Sequence, residues 1–328
     1  MNKCAFVLPY FGKFKNYFPL FLKSFKFNND FDLIIFTDNK YNYDYPQNVY
    51  VHYMEFNELK NLIYSKIPFD IRISTPYKLC DYKVAYGLIF EEYLKPYKFW
   101  GFCDCDLIFG DLSKFINDKL MNEYDRIFSL GHLSLFRNTY EINRLFLKEY
   151  KGMKYAERVF GSDEIFGFDE MVMNKIIELY GKKIFSLDLS ANVSVYYYRF
   201  RLVKRDYQIE RYLTEDYTPS IYAWRKGKII RKYISDDNGQ MVVNEFPYIH
   251  LQQRKMKFDN SVLQYDEIQI LPNTFKKLCY GEKCEINNMK KNHFDFMEII
   301  NCKKRYLKWK VKSIISHLFP GRFLRGNF

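Results

Sequence analysis

Asp104 and Asp106 stand one residue apart at the end of an apolar, aromatic-rich run, Phe99 to Asp111, FWGFCDCDLIFGD. In an extended strand the side chains at i and i+2 project to one face, so both carboxylates can reach a single point. A turn beginning here relaxes that geometry, and Asp is common in turns at strand ends. Two carboxylates this close repel unless positive charge lies between them. Oxygen donors converging at a strand end suit a hard divalent cation, Mn²⁺ or Mg²⁺, that carries a diphosphate and neutralises a departing phosphate group.

Those carboxylates need elements that deliver them. Cys4–Pro9 is a short apolar strand ending in the turn-like Tyr10-Phe11-Gly12. Asn16–Phe27 has helical spacing, with Pro19 tolerated only in the first turn. Strands over Asp32–Asp38 and Val49–Met54 flank a polar loop, and Glu55–Lys66 is helical. Leu79, Tyr82, Tyr86, Ile89, Phe90 and Tyr93 predict one helix over Pro76–Leu94, before a strand over Lys98–Asp104. This alternation predicts an α/β fold with a Rossmann-type, mainly parallel sheet flanked by helices. Ligands of such sheets bind beyond the carboxyl ends of the strands, where Tyr10, Thr37-Asp38 and Asp104/Asp106 all fall. Downstream, Asp111 is the expected cap of a helix reaching Met121. Asp125–Leu130 and Lys183–Leu189 are expected strands, with helices over Thr139–Tyr150 and Phe168–Tyr180 between them. Ile221–Tyr233 reads as a hairpin, and Val242–Leu251 as one late strand.

Other polar residues have two readings each. His250 in YIHLQQRKM reads as a core or strand-end histidine, although an imidazole beside carboxylates would suit Mn²⁺ better than Mg²⁺. Lys78 and Asp81 lie about one helical turn apart, where an ordinary ion pair contributes a few tenths of a kcal/mol. Asp169 and Glu170 in GFDEM sit at a helix start, where acidic residues are favoured by the dipole and the open N–H groups. Asp38 could cap a loop, and Arg254 and Lys255 could be solvated charge.

The blocks LPYFGKFKNYFPLFLKS, FTD, PYKLCDYKVAYG, FWGFCDCDLIFGDL, GFDE and YIHLQQRKM resemble a family of bacterial surface-polysaccharide sugar transferases with the GT-A fold. The resemblance spans roughly residues 3–258 and leaves the tail outside, so the chain divides into a GT-A-like domain over 1–258 and an extension over 259–328. It implies transfer of a hexose from a nucleotide-diphosphate sugar, first of all a UDP-sugar, to a glycan or lipid-linked glycan of capsule or lipopolysaccharide. Asp106 would bind the ion and Asp104 the ribose or the ion's surroundings, with His250 completing the coordination. Tyr10, Thr37 and Asp38 would hold base and ribose. Lys78 and Asp81 would border the donor sugar, and Arg254 and Lys255 the phosphates. Asp169 or Glu170 would face the acceptor, as a base in an inverting reaction or as a hydroxyl-binding group in a retaining one.

At 328 residues with 48% hydrophobic content, the chain can bury a large core. Its formal charge of +12 is uneven, because residues 290–328 carry ten Lys/Arg against Asp295 and Glu298. A near-neutral body argues against a nucleic-acid groove. Seven cysteines without a framework spacing predict free thiols and a cytoplasmic setting, with Cys279 and Cys284 as at most half a zinc site. No secretory signal is expected at the start, and no window offers the ~20 apolar residues of a membrane span. Leu307, Val311, Ile314, Ile315 and Leu318 can line one helix face, with Lys303, Lys304, Arg305, Lys308 and Lys312 around it and Trp309 at its boundary. Residues 303–319 therefore suit an anionic membrane surface, or a terminal helix packed on the domain, which places the protein in the cytoplasm or peripherally on the inner face of its membrane. Two other function classes compete. One is a metal-dependent nucleotidyltransferase or phosphodiesterase, and the other a non-enzymatic basic membrane-binding module.

Overall fold

Cys4–Pro9 forms strand β1 at the centre of a seven-stranded sheet, which is why its run is apolar at almost every position. A computed structural model describes residues 3–208, 210–235, 239–252, 254–279, 281, 287, 289 and 295–318. The strands before the acidic pair are β2 (Phe31–Thr37), β3 (Val49–Tyr53) and β4 (Phe99–Cys103). After it come β5 (Leu107–Phe109), β6 (Arg126–Leu130), β7 (Leu133–Arg137), β8 (Ile184–Phe185) and β9 (Ala191–Asn192). The large sheet has the order β3-β2-β1-β4-β7-β6-β8, and only β7 runs against its neighbours. Alternate residues feed two cores. Ala5, Val7, Phe36, Trp100 and Phe102 face one, while Phe6, Leu8, Phe31, Leu33 and Phe99 face the other with helix Phe18–Phe25.

Strand order reverses between β1 and β4, since β2 and β3 lie on one side of β1 and the later strands on the other. In open sheets of this kind ligands bind beyond the strands' carboxyl ends at such a switch point. The remaining strands are β10 (Val203–Asp206) and β11 (Arg211–Thr214), then β12 (Ser220–Arg225), β13 (Lys228–Ile234), β14 (Met241–Phe246), β15 (Tyr248–His250), β16 (Glu267–Leu271) and β17 (Thr274–Lys277). β10 and β11 pair with each other, β5-β15-β9 form a small sheet, and β14-β13-β12-β16-β17 an antiparallel one.

Several expected elements are shorter or divided. The Pro76–Leu94 segment is a chain of short turns, α-helical at Leu79–Tyr82, Tyr86–Ile89 and Glu91–Leu94. Lys78, Asp81 and Lys83 all bond to distant loops, and those tertiary contacts override the helical pattern. Val242–Leu251 splits at Pro247, which cannot donate to a ladder, so β14 and β15 join different sheets. Asp111 caps only Leu112–Phe115, and Asn117 starts a second helix, Asp118–Glu123. Thr139 caps Tyr140–Asn143 alone, and Phe168–Met171 is separated from Met173–Leu179 at Val172.

The boundary at 258 does not hold as a structural division. β16 pairs with β12, and Ile268, Ile270 and Phe275 pack into one core with Trp224, so residues up to Lys277 complete the body. The free-thiol expectation also needs correction: Cys4, Cys80, Cys103, Cys105 and Cys302 are free, but Cys279 is in a disulfide. Cys284 and the side chains of Lys312, Ile315 and Leu318 lie outside the described residues, as does residue 319. Helix Phe296–Leu318 packs on the body through buried Glu298 and Cys302. Among the described residues no helix is long and apolar enough to cross a membrane.

Candidate metal centre

Asp104, Cys105 and Asp106 link β4 of the large sheet to β5 of the small one. Register then delivers the partners. His250 lies opposite Leu107 in the antiparallel β5–β15 pair and level with Asn192 in the parallel β15–β9 pair. The Leu251 N–H donates to the Asp106 carbonyl at 3.1 Å, and the Asp104 N–H to the His132 carbonyl at 2.9 Å. Both aspartates are therefore anchored through their backbones.

One ligand atom from each of Asp104, Asp106 and His250 lies within 4.8 Å of the others. His250 Nε2 is 3.2 Å from Asp106 Oδ1 and 4.0 Å from Asp104 Oδ2. Asn192 Oδ1 lies 3.0 Å from His250 Nδ1 and also accepts from Gln252 Nε2 at 2.8 Å. An amide oxygen only accepts, so Nδ1 is assigned the proton and Nε2 is aimed at the carboxylates. Burial favours the neutral ring, but Asp106 and Asp104 outweigh it and raise the imidazole's pKa. A proton and a cation thus compete for the same lone pair. While the ring is neutral with its proton on Nδ1, buried Asp106 Oδ1 has no hydrogen-bond donor, a costly state for a carboxylate oxygen that a bound cation, or a second proton on the ring, relieves. The residues present fit a divalent ion.

Lys83 holds the arrangement from the other side. Its Nζ donates to Asp104 Oδ1 and to the Gly131 carbonyl, each at 2.6 Å. One oxygen of Asp104 is thereby occupied and the other faces His250. Burial opposes the charge on Lys83, yet Asp104 and Asp169 hold its pKa above the ordinary lysine value.

The β6–β7 turn joins this centre to the acidic helix start. The Gly131 N–H donates to Glu170 Oε1 at 2.6 Å, and Tyr212 Oη donates to Glu170 Oε2 at 2.7 Å. A Cβ on Gly131 would sit 2.6 Å from Asp169 Oδ2 and 2.9 Å from Glu170 Oε1, so any larger residue must displace these carboxylates. Asp169 is buried, and burial pushes its carboxyl up to about 7, with Glu170 and Asp104 adding to the shift and Lys83 and Arg126 opposing it. The neighbouring His132 ring lies 4.5 Å from that of His250, with its Nδ1 2.9 Å from Tyr248 Oη. Burial, then the His250, Lys83 and Lys204 charges, keep His132 neutral.

Tyr10 is half-buried beside Cys105 and Asp106 and stacks on Phe14 at 4.6 Å. Burial first, then those two neighbours, pushes its hydroxyl up to about 12. Thr37 is buried, and its hydroxyl accepts from the Asn39 N–H at 3.1 Å. Asp38 accepts from the Gly12 N–H at 2.6 Å, and so shapes the loop after β1. Thr37 has no open face toward a ribose.

Three expected ligand contacts are corrected by burial. Lys78 and Asp81 form an ion pair of 2.8 Å with side chains only 1% and 0% exposed. Lys78 also donates to the Val159 carbonyl, and Asp81 accepts from the Phe166 and Phe168 N–H groups. They pin the segment before Asp169 and cannot touch a donor. Arg254 is equally buried, its guanidinium donating to the carbonyls of Ser194, Tyr197, Tyr198 and Pro272. Only Lys255 of that pair is exposed.

Lys83, Gly131, His132, Asn192 and Tyr212 did not emerge from sequence. Gly131-His132 carried a signal, a polar pair between two apolar runs that marks a tight hairpin. The others carried none.

Residues 6–279 match the family of unknown function DUF6625. The chain belongs to that family. Every residue of the centre lies within the DUF6625 span, and helix Phe296–Leu318 lies beyond it. No curated protein matches the chain.

Proposed function

We propose that this protein is a metal-dependent glycosyltransferase of the GT-A type. It moves a hexose from a nucleoside-diphosphate donor, a UDP-sugar first among candidates, to a glycan or lipid-linked glycan of a bacterial surface polysaccharide. The observation that carries the reading is the Asp104–Asp106–His250 cluster at the sheet's switch point, with a buried carboxylate oxygen left unsatisfied. Asp104, Asp106 and His250 would hold Mn²⁺ or Mg²⁺, which supplies positive charge against the diphosphate leaving group.

The chain's own groups prepare that site. Lys83 orients Asp104, while Asn192 and Gln252 fix the His250 ring. Tyr10 offers a partly open aromatic face at the end of β1 for the nucleotide base, against a loop held by Asp38. Asp169 is tuned toward neutrality, the condition for exchanging a proton with an acceptor hydroxyl near neutral pH. Glu170 has both oxygens engaged by Gly131 and Tyr212, which makes it a positioning residue.

The test is incubation with Mn²⁺ and a panel of nucleotide sugars, reading nucleoside diphosphate release, with Asp106→Ala as control. Metal-dependent release from one donor, lost in the variant, is the expected result. Pyrophosphate from a nucleoside triphosphate would identify a nucleotidyltransferase instead, and a nucleoside monophosphate a phosphodiesterase. Absence of both turnover and metal-dependent donor binding by calorimetry would overturn the reading.

A further inference from the structure

Helix Phe296–Leu318 has two unlike faces. One is docked: Glu298 and Cys302 are buried, and Arg305 donates to the Val195 carbonyl and to Glu298. Tyr306 and Trp309 extend this face against Tyr196, with Trp309 at 5.4 Å between ring centres. Arg305 therefore belongs to the packing surface, not to the charged fringe its spacing predicts, and Trp309, 44% exposed, lies beside Tyr196 and not at the boundary of the apolar face.

The opposite face carries an apolar stripe. Leu307, Val311 and Ile314 follow one another at i, i+4 and i+7 and are 59%, 54% and 51% exposed. At about 100° per residue this row lies roughly opposite Cys302, turned away from the body. Exposed lysines flank it on both sides, Lys303 and Lys310 along one edge and Lys304 and Lys308 along the other. A row of large apolar side chains between two rows of long cationic ones matches a lipid surface. The apolar groups enter the acyl boundary, the lysine stems lie along it, and the ammonium groups reach the headgroups.

We infer that this helix holds the protein on an anionic membrane surface, lying flat with Leu307, Val311 and Ile314 toward the lipid. A second copy of the chain fits the face poorly, because lysines would meet lysines. The lipid contact needs neither metal nor donor, so it stands apart from the transferase reading.

The experiment is co-sedimentation of the full chain with phosphatidylcholine vesicles, with and without phosphatidylglycerol. The chain is expected to sediment with the anionic vesicles and to be released by added salt. Leu307→Asp with Val311→Asp abolishes sedimentation, and Lys304→Glu with Lys308→Glu weakens partitioning by at least about fivefold per lysine removed. Circular dichroism of each variant confirms the fold, because all four positions are exposed. No sedimentation of the unaltered chain, or sedimentation unchanged by the aspartates, overturns the inference. Self-association that the aspartates abolish, without vesicle binding, overturns it in favour of a second copy.

Discussion

The protein buries charge in two ways. The Lys78–Asp81 pair and Arg254 are enclosed and bonded within the chain, to backbone groups of the 159–168 and 194–198 segments and of Pro272. The Asp104–Asp106–His250 cluster is only part-buried, with side chains 34%, 14% and 12% exposed, and an oxygen of Asp106 lacks a donor while His250 is neutral. The most buried charges are the structural ones, so burial does not mark the functional site. What separates them is whether the chain supplies the compensating groups itself. The first kind stabilises the fold once formed, while the second reserves its stabilisation for something that binds.

Breaking each kind should therefore give opposite signatures. Lys78→Met leaves Asp81 buried without its cation, and should cost about 3–5 kcal/mol of stability in denaturant unfolding. A loss below about 1 kcal/mol would mean that the pair is not enclosed as described. Asp106→Asn should do the reverse. It removes carboxylate repulsion and leaves unfolding stability within about 1 kcal/mol, but lowers metal-dependent turnover at least about a hundredfold. Saturating Mn²⁺ should raise the melting temperature of the unaltered protein and not that of Asp106→Asn, because a ligand stabilises only the state that binds it. Equal shifts in both proteins would remove the distinction.

Asp169 sharpens the comparison at intermediate size. Its folded pKa of about 7 exceeds the ordinary 3.8, so the native state keeps a proton that the unfolded chain releases between these values. Stability from this group is complete below about pH 4 and falls as pH rises toward about 7. Asp169→Asn should flatten that slope in urea midpoints measured across the window, and an unchanged slope would show that the carboxyl is solvated. The smallest effect belongs to Lys255→Ala, exposed beside buried Arg254. Its stability change should stay within about 0.5 kcal/mol, whereas Arg254→Ala should unfold much more readily.

How much was legible follows from the range of each interaction. β1 was read at its observed limits and β2 to within one residue at either end, because central parallel strands write themselves as apolar runs between turns, while edge strand β3 was read to within one residue from its alternation. β7 was missed although equally apolar, since a two-residue hairpin merges it with β6 into one long run. The aspartates were legible from their spacing at a strand end, and His250 only through the family resemblance of its block. Lys83 was not, being 21 residues from Asp104 and 48 from Gly131, with no local pattern to link them.

By itself the sequence determined a mainly parallel α/β architecture, an acidic pair at a strand end and a basic amphipathic terminus, all properties of neighbours along the chain. Tertiary structure alone decided which charges stay open. Register across β5, β15 and β9 brings Asn192 to His250, and the fold seals Lys78, Asp81 and Arg254 inside. The reason is physical: a charged side chain's role depends on its solvation and its partners, and both are assembled only when distant segments meet.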